Sequence, residues 1–138
     1  MAYSYEVDRD HRVVRVRMSG SLTLAEVHQV VAQIAADPGV TGHFVELIDL
    51  REATTDKISA DDVRNIAAAT LDATTRRAFV TSDVLTYGLA RMFEIYRTLS
   101  RKQDEIAVFR HIADAEQWLG VLPAPEMRDP GDARRSGQ

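Results

Sequence analysis

A single α/β domain built on a mostly parallel sheet is the fold class that the sequence predicts, and three observations predict it. Short apolar runs recur at 44–50, 77–81 and 106–109. Amphipathic segments, several opened by a helix-start signal, lie between and after them, and the chain begins with two alternating segments that read as a hairpin. Short apolar strands separated by amphipathic helices imply parallel strands joined by crossovers. The expected architecture is therefore an N-terminal antiparallel hairpin leading into four successive strand-helix units.

In the hairpin, Tyr3, Tyr5 and Val7 alternate with polar residues, Asp8-Arg9-Asp10-His11 interrupts, and Val14, Val16 and Met18 alternate with Arg15 and Arg17. Alternation of period two implies one apolar and one wet face, which belongs at one side of the sheet. Ser19-Gly20-Ser21 is expected to close it. The first helix starts at Thr23-Leu24-Ala25-Glu26, where the threonine hydroxyl can cap a free N–H, the glutamate can reach back to the cap N–H, and Leu22 and Val27 can staple the turn. Leu24, Val27, Val31 and Ile34 continue one face until Asp37-Pro38-Gly39 stops it. The same device recurs at Ser59-Ala60-Asp61-Asp62, flanked by Ile58 and Val63, and predicts a second helix with Ile66, Ala67 and Thr70 facing inward. A third helix is predicted over Val84–Leu99 with Leu85, Leu89, Met92, Tyr96 and Leu99 as its inner stripe. A short fourth runs from about Ala113 to Leu119, with Gly120 as its stop. Residues 1–121 form the expected domain; 122–138 concentrate proline, glycine and charge without periodicity and are expected to be a disordered tail.

The 138 residues suffice for one domain with a real core and are too few for two. A hydrophobic share of 45% and a charged share of 28% are ordinary for a compact soluble protein. The net charge of −4 offers no basic excess to neutralise phosphates, so nucleic acid is not an expected partner. Without cysteine there is no thiol nucleophile, disulfide or thiolate metal site. The N-terminus lacks a basic-then-apolar leader pattern and no run approaches the ~20 apolar residues of a membrane span, so a cytoplasmic protein is expected.

Three phrases carry a family resemblance. Leu47-Ile48-Asp49-Leu50-Arg51 resembles an aspartate-leucine strand end; Tyr87-Gly88-Leu89-Ala90-Arg91-Met92-Phe93-Glu94 resembles a helical phrase; Val108-Phe109-Arg110 leading to Ala115-Glu116-Gln117-Trp118-Leu119-Gly120 resembles an ending. In this order, and with the leading strand and four strand-helix units, the sequence resembles the STAS/SpoIIAA-like domains over residues 1–121. The best-understood relatives are bacterial anti-sigma-factor antagonists, in which a serine at the start of the second helix is phosphorylated by a partner kinase. Ser59 holds that place. Its surroundings, Asp56-Lys57-Ile58-Ser59-Ala60-Asp61, lack the aspartate-serine pair and the following glycine, and Asp61 and Asp62 would repel a phosphate in the first turn. Ser59 is expected to act as a helix cap.

Two sets of candidate contact residues remain. Loops after parallel strands are where open α/β sheets place ligands, and Asp49, Arg51, Ser59, Ser82, Asp83 and Arg110 belong to that edge, although the same side chains also serve as caps and turn closers. On the third helix, Tyr87 falls nearly opposite the predicted stripe with Arg91 and Glu94 on its side, and Gly88 costs about 1 kcal/mol relative to alanine at mid-helix, which close approach of another backbone or a ligand would explain. No cofactor loop, nucleophile elbow or metal spacing is present; His11, His28, His43 and His111 are scattered. The sequence thus points to a non-enzymatic STAS-like module, regulatory in role, that binds a protein partner and could form a homodimer through its second and third helices. The alternative is a sensor of a small apolar or anionic molecule, or of a lipid, in keeping with the kinship often drawn between this fold and SEC14-like domains. An apolar cavity beneath the third helix would favour the sensor; a filled core with an exposed apolar patch would favour the protein-binding module.

Overall fold

The computed structural model describes residues 2–40, 42–70, 74–100 and 104–121. The expected tail, 122–138, lies outside the described residues. Strands β1 (Ala2–Asp8), β2 (Val13–Ser21), β3 (Phe44–Thr54), β4 (Thr74–Val80) and β5 (Glu105–Phe109) form one sheet in sequential order, and helices α1 (Leu24–Ala36), α2 (Ala60–Ala69), α3 (Val84–Leu99) and α4 (Ile112–Leu119) follow β2, β3, β4 and β5 respectively. The β1–β2 pair is antiparallel and the other three are parallel. This is the predicted hairpin and four strand-helix units, with β2 serving both as the hairpin's second strand and as the strand of the first unit.

Side-chain alternation on the strands separates the two faces of the sheet. Val14, Val16, Met18, Phe44, Ile48 and Leu50 gather with Val30 and Ile34 of α1, while Phe79 packs with Val63 and Ala67 of α2 and Phe93 of α3. The alternate positions Leu47, Ala78 and Val80 pack under Ile112, Ala115 and Leu119 of α4. Crossovers of one hand between strands laid down in order bring their helices to one face, which leaves α4 to cover the other.

The caps form largely as the sequence implies. Ser59 Oγ accepts from the Asp62 N–H at 3.0 Å, and the Asp62 carboxylate accepts from the Ser59 N–H at 3.0 Å, a full capping box. Thr23 Oγ1 accepts from the Glu26 N–H at 3.3 Å, but the Glu26 carboxylate takes the threonine's own hydroxyl proton at 3.0 Å. Gly120 closes α4 in the left-handed region at φ 72°. Tyr5 donates to Asp37 at 2.9 Å, tying β1 to the end of α1. The Gly39 N–H and this phenol hold the Asp37 carboxyl below the usual carboxylate range.

Three expectations need correction. Ser19-Gly20-Ser21 does not close the hairpin: β2 continues to Ser21, with a register shift between Arg17 and Ser19. The face of β2 that carries Arg15 is not wet there, since Arg15 is 7% exposed and Val13 fully buried; β2 is an interior strand with β3 on its far side. The inner face of α3 is not the Leu85/Leu89/Met92/Tyr96/Leu99 stripe. The residues turned fully inward are Thr86, Ala90, Phe93 and Arg97. Leu89, Met92 and Tyr96 are half-buried in the cluster that α2 shares, whereas Leu85 and Leu99 are exposed.

Candidate functional site

Three regions hold the chemistry that the fold assembles. At the strand C-terminal edge, Asp49 is buried and takes Arg51 through Oδ1 and Oδ2, at 2.9 Å each, with Arg17 at 3.8 Å. Ser82 Oγ donates to the Arg51 carbonyl at 2.7 Å. Asp83 caps α3, accepting from the Thr86 N–H at 2.8 Å and from its hydroxyl at 2.9 Å. Arg110 lies over the Tyr87 ring at 5.2 Å, a cation–π distance. The predicted edge residues Asp49, Arg51, Ser82, Asp83 and Arg110 are therefore engaged with one another or with the first turn of α3, and Ser59 is engaged at the start of α2.

The second region is a cavity of about 140 Å³ between the sheet and helices α1, α2 and α3. Its walls are almost wholly apolar: Val16, Met18 and Ile48 form its floor, and Val30, Ile66, Leu89 and Phe93 are among the helix residues above. Polar groups mark its two ends. Toward the strand C-termini, the Thr55 and Thr86 hydroxyls meet at 2.9 Å. Toward the strand N-termini, Arg77 Nε donates to Glu46 Oε1 at 3.2 Å and its guanidinium also holds Asp104, which in turn receives Arg97 Nε at 3.2 Å. Arg97 further donates to the Ala67 carbonyl at 2.8 Å, anchoring the end of α3 to the end of α2. Burial pushes the Glu46 carboxyl above the usual carboxylate range, opposed by Arg77 beside it; burial likewise lowers the proton affinity of the Arg77 guanidinium. The formal charges, two guanidinium and two carboxylate, balance.

The third region is the outer side of α3. Val84, Leu85, Ile95 and Leu99 are 78%, 53%, 52% and 72% exposed, although the helix has its own buried face. Gly88 lies on this side, and none of the described residues comes within 4 Å of where a Cβ would stand. Arg91 is exposed and donates to Glu94 at 2.9 Å, while Tyr87 is half-buried on the flank beneath Arg110. The sequence pattern thus brought Gly88, Arg91 and Glu94 to one exposed region but set Tyr87 further outward than it stands.

The cavity's polar groups were missed from sequence. A signal was there: Glu46 interrupts one apolar run and Arg77 opens another, both of which become interior parallel strands, and a charge at such a place needs a buried partner. Among the described residues no cluster of three or more His, Asp or Glu side chains could hold a metal ion, and no helix is long and apolar enough to cross a membrane.

A five-stranded sheet with one antiparallel pair, three crossover helices on one face and a fourth helix on the other defines a SpoIIAA-like α/β fold. Among solved structures, the chain is similar to an uncharacterised protein of the DUF3478 family with a SpoIIAA-like fold from Shewanella loihica PV-4. The two are 23% identical, with a TM-score of 0.56 over 86% of this chain and 92% of that one. No family model and no curated protein matches the sequence.

Proposed function

We propose that this protein is a non-enzymatic cytoplasmic binding module of STAS-like fold that takes a small, mainly apolar molecule into the cavity beneath α1, α2 and α3. The observation that carries this reading is the cavity itself: about 140 Å³ walled by aliphatic and aromatic side chains, with a hydroxyl pair at one end and a carboxylate–guanidinium pair at the other. Apolar cavities near 150 Å³ stay dry and bind molecules of benzene size. The polar ends suit a ligand with one hydroxyl or carbonyl group, since a few convergent polar groups in an apolar pocket fix orientation.

Saturable binding of phenol or a short aliphatic alcohol, followed by chemical-shift changes and a rise in thermal midpoint, is the expected result. Ala90→Leu, which fills the cavity from α3, should abolish that binding while leaving the fold intact. Absence of binding in the wild type, or binding that survives Ala90→Leu unchanged, overturns the reading.

A second reading rests on a separate observation. The exposed apolar side of α3, with Gly88 at its middle, supports contact with another protein. The two readings are compatible, because the cavity lies beneath the inner side of the same helix.

A further inference from the structure

The outer side of α3 has a pattern that singles out one partner. At about 100° per residue, Val84, Gly88, Arg91, Ile95 and Leu99 fall in one exposed strip about 22 Å long, with Leu85 and Met92 along one border and Glu94 along the other. If a second identical helix is laid antiparallel against it, with a two-fold axis between residues 91 and 92, each position meets the one whose number completes 183. Val84 then meets Leu99 of the second copy. Gly88 meets Ile95 of the second copy, a large side chain opposite the one place on the strip without a Cβ, where none of the described residues comes within 4 Å. Arg91, already 2.9 Å from its own Glu94, comes within about two helix rises of the second copy's Glu94, so the two arginines, side by side at the axis, are flanked on either side by a glutamate.

We propose that α3 is a self-complementary surface, and that two copies of this chain associate through an antiparallel α3 pair with the Ile95 of each seated at the Gly88 of the other. This rests on the second reading above, that α3 is a protein-contact surface, and names its occupant. A glycine at mid-helix weakens that helix. Packing among the described residues does not account for it, because none of them approaches the site. Close approach by the second copy's Ile95 would. A two-fold axis makes the patch pair with itself, as in most homodimers. A single helix pair lies at the small end of interface sizes, so the expected dimer is micromolar rather than nanomolar.

Sedimentation of the full chain from low micromolar to millimolar concentration tests this. The wild type should pass from monomer to dimer across that range. Gly88→Gln should weaken association at least about ten-fold while raising the thermal midpoint of the monomer, because it fills the notch yet improves helix propensity. Ile95→Ala should weaken association by a similar factor. Arg91→Glu should weaken it too, because it leaves only acidic groups along that border, and Arg91→Glu combined with Glu94→Arg should restore it to within a few-fold, since the exchange recreates the 91–94 pairs between copies with their signs reversed. A wild type that stays monomeric, or a dimer indifferent to both Gly88→Gln and Ile95→Ala, overturns the proposal. A monomeric wild type that instead captures a different protein, or binds apolar vesicles, in a way lost with Ile95→Ala also overturns self-pairing; the protein-contact reading survives only in the first of those cases.

Discussion

Helices α1 and α3 lie on the same sheet face, one on either side of α2, and are anchored there by different means. In α1 the inward residues are aliphatic, Val30 and Ile34 with Val27 beside them. In α3 the inward residues are Thr86, Ala90, Phe93 and Arg97, and large aliphatics stand outside. The first helix is positioned by burial of apolar area. The second is positioned by one aromatic ring, at 5.3 Å from Phe79 in an edge-on arrangement, and by a guanidinium that reaches Asp104 and the Ala67 carbonyl. The small inward residues Thr86 and Ala90, which precede those two points along the helix, leave the space that becomes the cavity. An arginine anchor thus serves two ends: it fixes α3 without filling the volume beneath it, and it leaves Val84, Leu85, Ile95 and Leu99 on the outer side.

The sharpest test of this contrast is Arg97→Met. Removing the guanidinium leaves Asp104 buried with one partner fewer, and loss of a member of a buried charge pair costs ~3–5 kcal/mol. Urea unfolding should show a loss on that scale, and Arg97→Met combined with Asp104→Asn should recover part of it. A cost below about 1 kcal/mol would mean that α3 is held by its apolar contacts, as α1 is. In α1, Ile34→Ala should cost ~2–5 kcal/mol through the cavity it leaves, without any recovery by a charge-removing second change.

The buried carboxylate gives the α3 side a pH dependence. Because burial raises the folded-state pKa of Glu46 above its unfolded value, its contribution to stability is fully present below the ordinary carboxylate range and is lost as pH rises through the raised value. From about pH 4 upward, the wild type should therefore lose stability relative to Glu46→Gln, whose amide does not titrate. Parallel stability curves for the two proteins would overturn this account of Glu46.

The smallest effects should come from the helix starts and the exposed strip. Asp83→Ala removes two hydrogen bonds at the start of α3 and Thr23→Ala one backbone bond at the start of α1, so both should fall near 1 kcal/mol with α3 the more affected. In dilute solution Leu99→Ser should change stability by no more than about 0.5 kcal/mol, as for other exposed positions. A loss of several kcal/mol there would show Leu99 to be an inward residue after all.

Local chemistry made the order of elements legible. Thr23, Ser59 and Gly120 act at the termini their residue types imply, and α3 spans the predicted Val84–Leu99. These are properties of a few consecutive residues, because caps, stops and apolar runs act within a turn or a strand. The face of α3 was not legible, since Val84, Leu85, Leu89, Met92, Phe93, Ile95, Tyr96 and Leu99 put apolar side chains on nearly every side of it. Local periodicity cannot rank such faces. That choice fell to the tertiary structure: Asp104 and the Ala67 carbonyl, 7 and 30 residues away from Arg97, turn the helix so that the arginine points inward. The cavity followed from the same distant contacts, because a buried guanidinium must be paired wherever its partners lie. The sequence by itself determined which segments became strands and helices and in what order; only the assembled sheet decided which side of α3 met it, and so what the protein holds inside and presents outside.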